Sequence, residues 1–138
     1  MKAEKQDKNS RLLDTVYLAA GAWPQSMPGP VGYDRVVYYN FRLFIVEYKS
    51  SHKAKLTQNE IETRAKIQET GVSYHIAVTP DEALIPLGIT FKDFTSNQLW
   101  WLSENLARCN PKNDDYTQAM IDRLGRRLSK MIRERGKI

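Results

Sequence analysis

Asp34-Arg35-Val36-Val37-Tyr38-Tyr39-Asn40-Phe41-Arg42-Leu43-Phe44-Ile45-Val46-Glu47-Tyr48-Lys49 is the stretch that decides the fold. Two apolar runs, 35–39 and 41–48, are rich in Val, Ile, Tyr and Phe, which suit a pleated and half-buried surface. The break near Asn40 predicts a hairpin. Side chains alternate across a strand, so Leu43, Ile45, Glu47 and Lys49 share one face and Phe44, Val46 and Tyr48 the other. With Asn40 and Phe41 centring the turn, Asp34 falls opposite Glu47, which brings the two Cβ atoms to about 4.5–5.5 Å. Carboxylates that close repel each other unless a cation lies between them. Mg²⁺, with Mn²⁺ as a substitute, resolves the conflict through oxygen ligands. Lys49 lies one strand repeat beyond Glu47, placed to orient water or hold a phosphate. A divalent ion makes water more acidic and offsets charge on phosphoryl oxygens, so the layout is that of metal-dependent phosphodiester hydrolysis.

Downstream, Thr57 and Glu60 form a capping box, and Ile61, Ala65 and Ile67 are expected to give that helix a core face. Gly71 sits at its stop, and Val72–Val78 reads as a strand. Strand, helix, strand implies parallel pairing through a right-handed crossover. Thr79-Pro80-Asp81-Glu82 starts a short helix that ends before Pro86. Thr95 with Gln98 opens another, running to about Arg108. The segment from about 115 to 135 carries Tyr116, Met120, Leu124, Leu128 and Met131 or Ile132 as one apolar stripe on a basic amphipathic helix about 30 Å long. Upstream, Leu12, Leu13, Val16 and Tyr17 fit a short helix. Residues 1–9 read as loose, and Gly21–Gly32, with its Pro and Gly, as a loop. The expected fold is α/β: a small central mixed β-sheet flanked by helices, with a C-terminal helical extension. The core would span 1–90 and the extension 91–138.

The chain has 138 residues, 41% of them hydrophobic, enough for one domain with a real core. One Cys excludes a disulfide framework and a zinc cluster of several cysteines. No apolar run reaches the ~18 residues of a membrane span, and the N-terminus lacks the apolar core of a secretion signal, so the cytoplasm is the expected compartment. The net charge is +5, and residues 118–138 hold the whole excess, with seven basic and two acidic side chains. A basic end points to a polyanion. Lys53 and Lys55 in the loop after Lys49, and Arg126, Arg127 and Lys130 on the last helix, are the candidate phosphate contacts. No Gly-rich loop with Lys-Ser/Thr is present, which argues against an NTPase.

Gly32-Tyr33-Asp34-Arg35, then Phe44-Ile45-Val46-Glu47-Tyr48-Lys49, then Leu56-Thr57-Gln58-Asn59-Glu60 through Gly71 to a strand, resembles the PD-(D/E)XK (restriction-endonuclease-like) nuclease superfamily. The VRR-type nuclease branch is the nearest pattern, and the resemblance covers about residues 29 to 85. It implies a Mg²⁺-dependent deoxyribonuclease with Asp34 and Glu47 as metal ligands, Lys49 as the catalytic lysine and the backbone carbonyl of Tyr48 as a further ligand. It also implies a branched or otherwise structured DNA substrate, and a homodimer whose interface would lie on the Trp-bearing helix and the final helix. Two positions depart from the pattern. Tyr33 stands where the branch has Pro, and Glu60 where it has Gln. Gln58 would substitute only with a shifted helix start. The family's early helical acid would be Asp14 or Asp7, Glu4 lying very near the terminus.

His52 follows Lys49 in a basic loop, as a proton donor to a leaving group or as a solvated side chain. His75 is expected to be structural and Cys109 inert. Of Trp100 and Trp101, about 100° apart on a helix, core or oligomer packing is expected. Trp23, Gln25 and Met27 precede Asp34 and are placed to read or wedge a distorted duplex. Two non-enzymatic alternatives stand beside the nuclease. One is a catalytically inactive nuclease-fold nucleic-acid-binding protein, favoured by Glu60. The other is a phage-type interaction protein that docks its basic helix on an acidic host partner.

Overall fold

A computed structural model of the chain describes residues 7–28 and 31–136. Glu4 and Lys137 lie outside the described residues. The architecture is α/β, with a four-stranded mixed sheet flanked by helices. Helix α1 (Ser10–Ala19) precedes β1 (Trp23–Ser26), β2 (Arg35–Tyr39) and β3 (Arg42–Tyr48). Helix α2 (Gln58–Glu69) crosses to β4 (Tyr74–Ala77), and α3 (Pro80–Leu84), α4 (Ser96–Asn105) and α5 (Asp115–Arg135) follow. The strands lie in the order β1-β2-β3-β4; the first two pairings are antiparallel and the third is parallel.

The hairpin register follows from its turn. Asn40 and Phe41 both take positive φ (51° and 65°), the backbone of the tight turn whose twist matches the strands it joins. Tyr39 therefore pairs with Arg42, and the ladder continues to Arg35 opposite Val46. One expectation fails nearby. Part of the Gly21–Gly32 stretch is a strand, with Trp23 against Tyr38 and Ser26 against Arg35. Pro24 is tolerated because β1 is an edge strand, where its missing N–H leaves no ladder partner unpaired.

The two sheet faces are covered unequally. Val37, Phe44, Val46 and Tyr48 join Leu12, Leu13, Val16 and Tyr17 of α1, and Leu99, Leu102, Leu124 and Leu128 of α4 and α5, in one core. The opposite face holds a small cluster of Val36, Ile45 and Tyr74, with Met27, Tyr33, Ile67 and Val72 packed on it. The expected core face of α2 is thus corrected: Ile61 and Ala65 are exposed and only Ile67 is half-buried. Trp100 and Trp101 are both exposed, since Leu99 and Leu102 occupy the buried positions of α4, and Tyr116 is likewise outside the stripe of α5. Residues 7–9 are not loose. Asn9 is fully buried, and its Nδ2 donates to the carbonyls of Lys49 (3.0 Å) and Val78 (2.7 Å), tying the ends of β3 and β4 to the start of α1. Cys109 is buried, and burial raises its thiol pKa. Half-buried His75 meets Phe44 edge-on at 6.1 Å. No helix among the described residues is long and apolar enough to cross a membrane.

Gly32 is the point where the loop before β2 meets α2. Its φ is +94°, and an added Cβ would run into Thr63 Oγ1 and lie 2.7 Å from Thr63 Cβ. Left-handed backbone costs a residue with a Cβ about 1–2 kcal/mol, and the overpacking adds about 1–3. Gly32→Ala is expected to lower stability by about 2–4 kcal/mol in urea titration. An unaltered midpoint would mean that Thr63 and the loop yield freely.

Candidate metal centre

The parallel pair β3/β4 and the loop ahead of β2 end on the same edge of the sheet, and this brings the acidic side chains together. Asp34 is one residue beyond the Arg35–Val46 pair, and it is held there twice. Its carbonyl accepts the Met27 N–H at 3.0 Å, and its Oδ2 accepts the Tyr48 N–H at 2.8 Å. A residue's N–H and C=O leave a strand on the same side, so the Tyr48 carbonyl also faces Asp34. Glu47 is 2% exposed, on the α2 face of β3. The third carboxylate comes from ahead of α1, where Asp7 Oδ1 accepts the Ser50 N–H at 3.0 Å. Carboxylate oxygens of Asp7, Asp34 and Glu47 lie within 4.8 Å of one another.

Lys49 projects beside them, its Nζ 2.8 Å from Glu60 Oε1 and 3.6 Å from Glu47 Oε1. Glu60 is fixed by the same capping box that starts α2: its Oε1 accepts the Thr57 N–H at 2.7 Å, and its own N–H donates to Thr57 Oγ1. The cap thus positions Glu60, and Glu60 positions the ammonium.

The electrostatics follow from too many acids in too little water. Burial, then Glu60 and Asp34, push Glu47 up to about 10, and Lys49 opposes this only in part. Burial also raises Asp34, against the stabilising Tyr48 N–H. Glu60 goes the other way, to about 2. Burial resists its ionisation, but hydrogen bonds from Glu47, Lys49 and Thr57 outweigh that. Burial and the neighbouring carboxylates thus favour the protonated form of Glu47. Among the described residues, buried Glu47 Oε2 has no hydrogen-bond partner.

The remaining candidate residues divide. Asp14 lies apart from this cluster's chemistry. It takes two hydrogen bonds from Arg35 (2.8 and 3.0 Å) and one from the Tyr48 hydroxyl (2.8 Å), a half-buried structural pair on the opposite face. Of the two early acids left open, Asp7 is therefore the one at the centre. Nothing local in the sequence singles it out; Asn9, which sets the path of that segment, stands only as a polar residue before an apolar helix. Gln58 bonds Glu62 along the outside of α2 at 3.1 Å, so Glu60 rather than Gln58 reaches Lys49. His52 pairs with Glu82 at 2.9 Å. Lys53 and Lys55 are exposed in the loop after Lys49. Arg126, Arg127 and Lys130 are exposed on α5, but Arg127 is committed to a bidentate pair with Asp81 (2.7 and 3.1 Å) and lies over the Phe91 ring. Asp81 lies in the first turn of α3, so this pair ties the middle of α5 to α3. No family model, no curated protein and no solved structure matches this chain.

Proposed function

We propose that the protein is a divalent-metal-dependent deoxyribonuclease hydrolysing phosphodiester bonds. The observation that carries this reading is Glu47: a carboxyl group 2% exposed, one buried oxygen of which has no hydrogen-bond partner among the described residues, close to the carboxylates of Asp7, Asp34 and Glu60 and to Lys49. Such a cluster relieves its repulsion by binding protons or a cation. The donor set fits a hard cation, because every side-chain ligand is a carboxylate oxygen, the choice of Mg²⁺ or Mn²⁺ rather than zinc or copper. Asp7, Asp34 and Glu47 would hold the ion, with the Tyr48 carbonyl available on the Asp34 side. When bound, the ion would offset charge on the phosphoryl oxygens and acidify water.

The chain's own groups supply the rest. Lys49, charged and anchored by Glu60, presents an ammonium at the rim of the cluster for a phosphoryl oxygen or the attacking water. Asp34 and Tyr48 lock each other in place through one hydrogen bond, and Asn9 fixes the end of β3 from behind. Lys53, Lys55, Arg126 and Lys130 offer salt-sensitive contacts to a phosphate backbone.

A second reading rests on the 2.8 Å contact between Lys49 and Glu60. With its charge engaged by Glu60, Lys49 would not reach the substrate, and the protein would bind metal and nucleic acid without cutting. Incubating the purified protein with linear, nicked, flapped and four-way DNA in Mg²⁺, Mn²⁺ or EDTA separates the readings, with calorimetric metal titration alongside. Cleavage in Mg²⁺ or Mn²⁺ and none in EDTA is the expected result. Metal binding with no cleavage of any substrate selects the inactive binder. No metal binding at all removes both.

A further inference from the structure

The hairpin end of the same sheet carries exposed aromatic surface that the folding of the chain does not use. Trp23 of β1 lies beside Tyr38 of β2, their rings stacked at 5.1 Å, and Leu43 of β3 completes the row. All three are exposed: Trp23 57%, Tyr38 37%, Leu43 48%. At the tip, Phe41 is wholly in solvent. Its φ of +65° is a conformation in which Gly is favoured and a bulky residue is strained, and that strain obtains no packing in return. Strained, exposed aromatic residues are poor solutions for folding and good ones for contact. Together with Arg42, these residues line a groove of about 590 Å³.

Its position says what it would contact. Tyr38 and Asp34 lie four residues apart on one side of a strand, as do Leu43 and Glu47, so the aromatic row and the carboxylates share one sheet face about 13 Å apart. That is about four stacked nucleotides at about 3.4 Å each. Among the described residues that line the groove, the charged one is a cation, Arg42. Resting on the nuclease reading above, we infer that Trp23, Tyr38 and Phe41 form a stacking platform for unpaired bases of the DNA strand whose backbone reaches the carboxylate cluster. Every base offers a π-face, so the platform is tolerant of sequence and selective for single strand, because paired bases present no free face. The substrate class is therefore DNA with a single-stranded arm of at least about four nucleotides.

The test is fluorescence anisotropy with the full chain in EDTA, using labelled 12-nucleotide oligothymidylate and a blunt 12-base-pair duplex. Binding is thus measured with no metal and no cleavage, and wild-type cleavage in Mg²⁺ is scored separately on the same molecules. Trp23→Ala should weaken oligothymidylate binding about tenfold and duplex binding little. Phe41→Gly guards against misfolding as the cause, because glycine relieves the turn. It should raise the unfolding midpoint yet lose several-fold in oligothymidylate affinity. Unchanged oligothymidylate affinity in both variants, or equal losses on duplex, would overturn the platform. So would sedimentation showing that Trp23→Ala dissociates a dimer while single-strand affinity is retained, since the face would then be a contact between copies. Wild type that binds oligothymidylate through these residues but cuts nothing in Mg²⁺ or Mn²⁺ would leave the platform standing and remove the nuclease.

Discussion

Glu47→Gln is expected to abolish cleavage and weaken Mn²⁺ binding by at least about a hundredfold, and yet to make the metal-free protein more stable. Losing even an outer-shell partner of a metal typically costs about 10–100-fold in affinity, and in the proposed centre Glu47 would supply a ligand oxygen directly. The gain in stability comes from the same burial. Burial and neighbouring carboxylates hold this 2% exposed carboxyl group toward its protonated form in the metal-free fold, whereas above pH 5 the unfolded chain ionises it. Gln has the shape of the protonated acid and needs no proton, so the variant should gain about 1–3 kcal/mol at pH 8 in EDTA. Lys49→Ala separates the two effects. It should also abolish cleavage, but it removes the ammonium that pairs with Glu47 and Glu60, so the metal-free variant should be less stable than wild type. Opposite signs on stability with one sign on activity are what a metal cluster under repulsion requires. A Glu47→Gln protein that cuts at the parental rate would remove Glu47 from the chemistry. One that is destabilised in EDTA would mean that Glu47 contributes a structural hydrogen bond rather than a repelled charge.

How much of this is legible in the sequence depends on how local each determinant is. The hairpin register is, because alternation and the Asn40 turn together allow few pairings, and the observed ladder runs in that register to Arg35 opposite Val46, the pair just before Asp34 and Glu47. The capping boxes at Thr57, Thr79 and Thr95 are as well, because each is closed by side chains three residues apart. Strand β1 is not. Its one Pro and flanking Gly residues carry loop chemistry, and only the neighbouring β2 edge makes it a strand. Helix α2 misleads for the opposite reason: Ile61 and Ala65 have helical spacing, but its cap, the Glu60–Lys49 pair and Thr63 against the Gly32 loop hold it down instead of a buried stripe. Asp7 is least accessible of all. It reaches the carboxylates because Asn9 docks on the ends of β3 and β4, 40 and 69 residues away, as the 3.0 and 2.7 Å bonds record. Arg127 reads as a free phosphate contact only until the fold brings in its partner Asp81, 46 residues away on another helix.

In EDTA, stability should fall as pH rises from about 5 to about 9, the reverse of the usual acid-side loss, and saturating Mn²⁺ should remove most of the slope. The sign follows from proton counting. Glu47 sits near 4.5 when unfolded and is pushed up to about 10 in the fold, so between those values the native state binds more protons than the unfolded one. Stability then declines with pH. Asp34, raised by burial, adds in the same direction from about 4 upward. Glu60, lowered to about 2, acts only below its unfolded value near 4.5, where stability is lost as pH falls. The metal-free optimum therefore lies near pH 5. A divalent ion competes with the Glu47 proton, so its binding should tighten about tenfold per pH unit through neutrality and release about one proton. Its stabilisation grows as RT ln(1 + [L]/Kd), which is largest where the metal-free protein is weakest. Urea titrations at pH 5.5, 7 and 8.5 in EDTA and in Mn²⁺ give both slopes, and calorimetry in buffers of different ionisation enthalpy counts the proton. A flat profile in EDTA would mean that Glu47 ionises in the fold at little cost, and the repulsion on which the proposed metal centre rests would be absent.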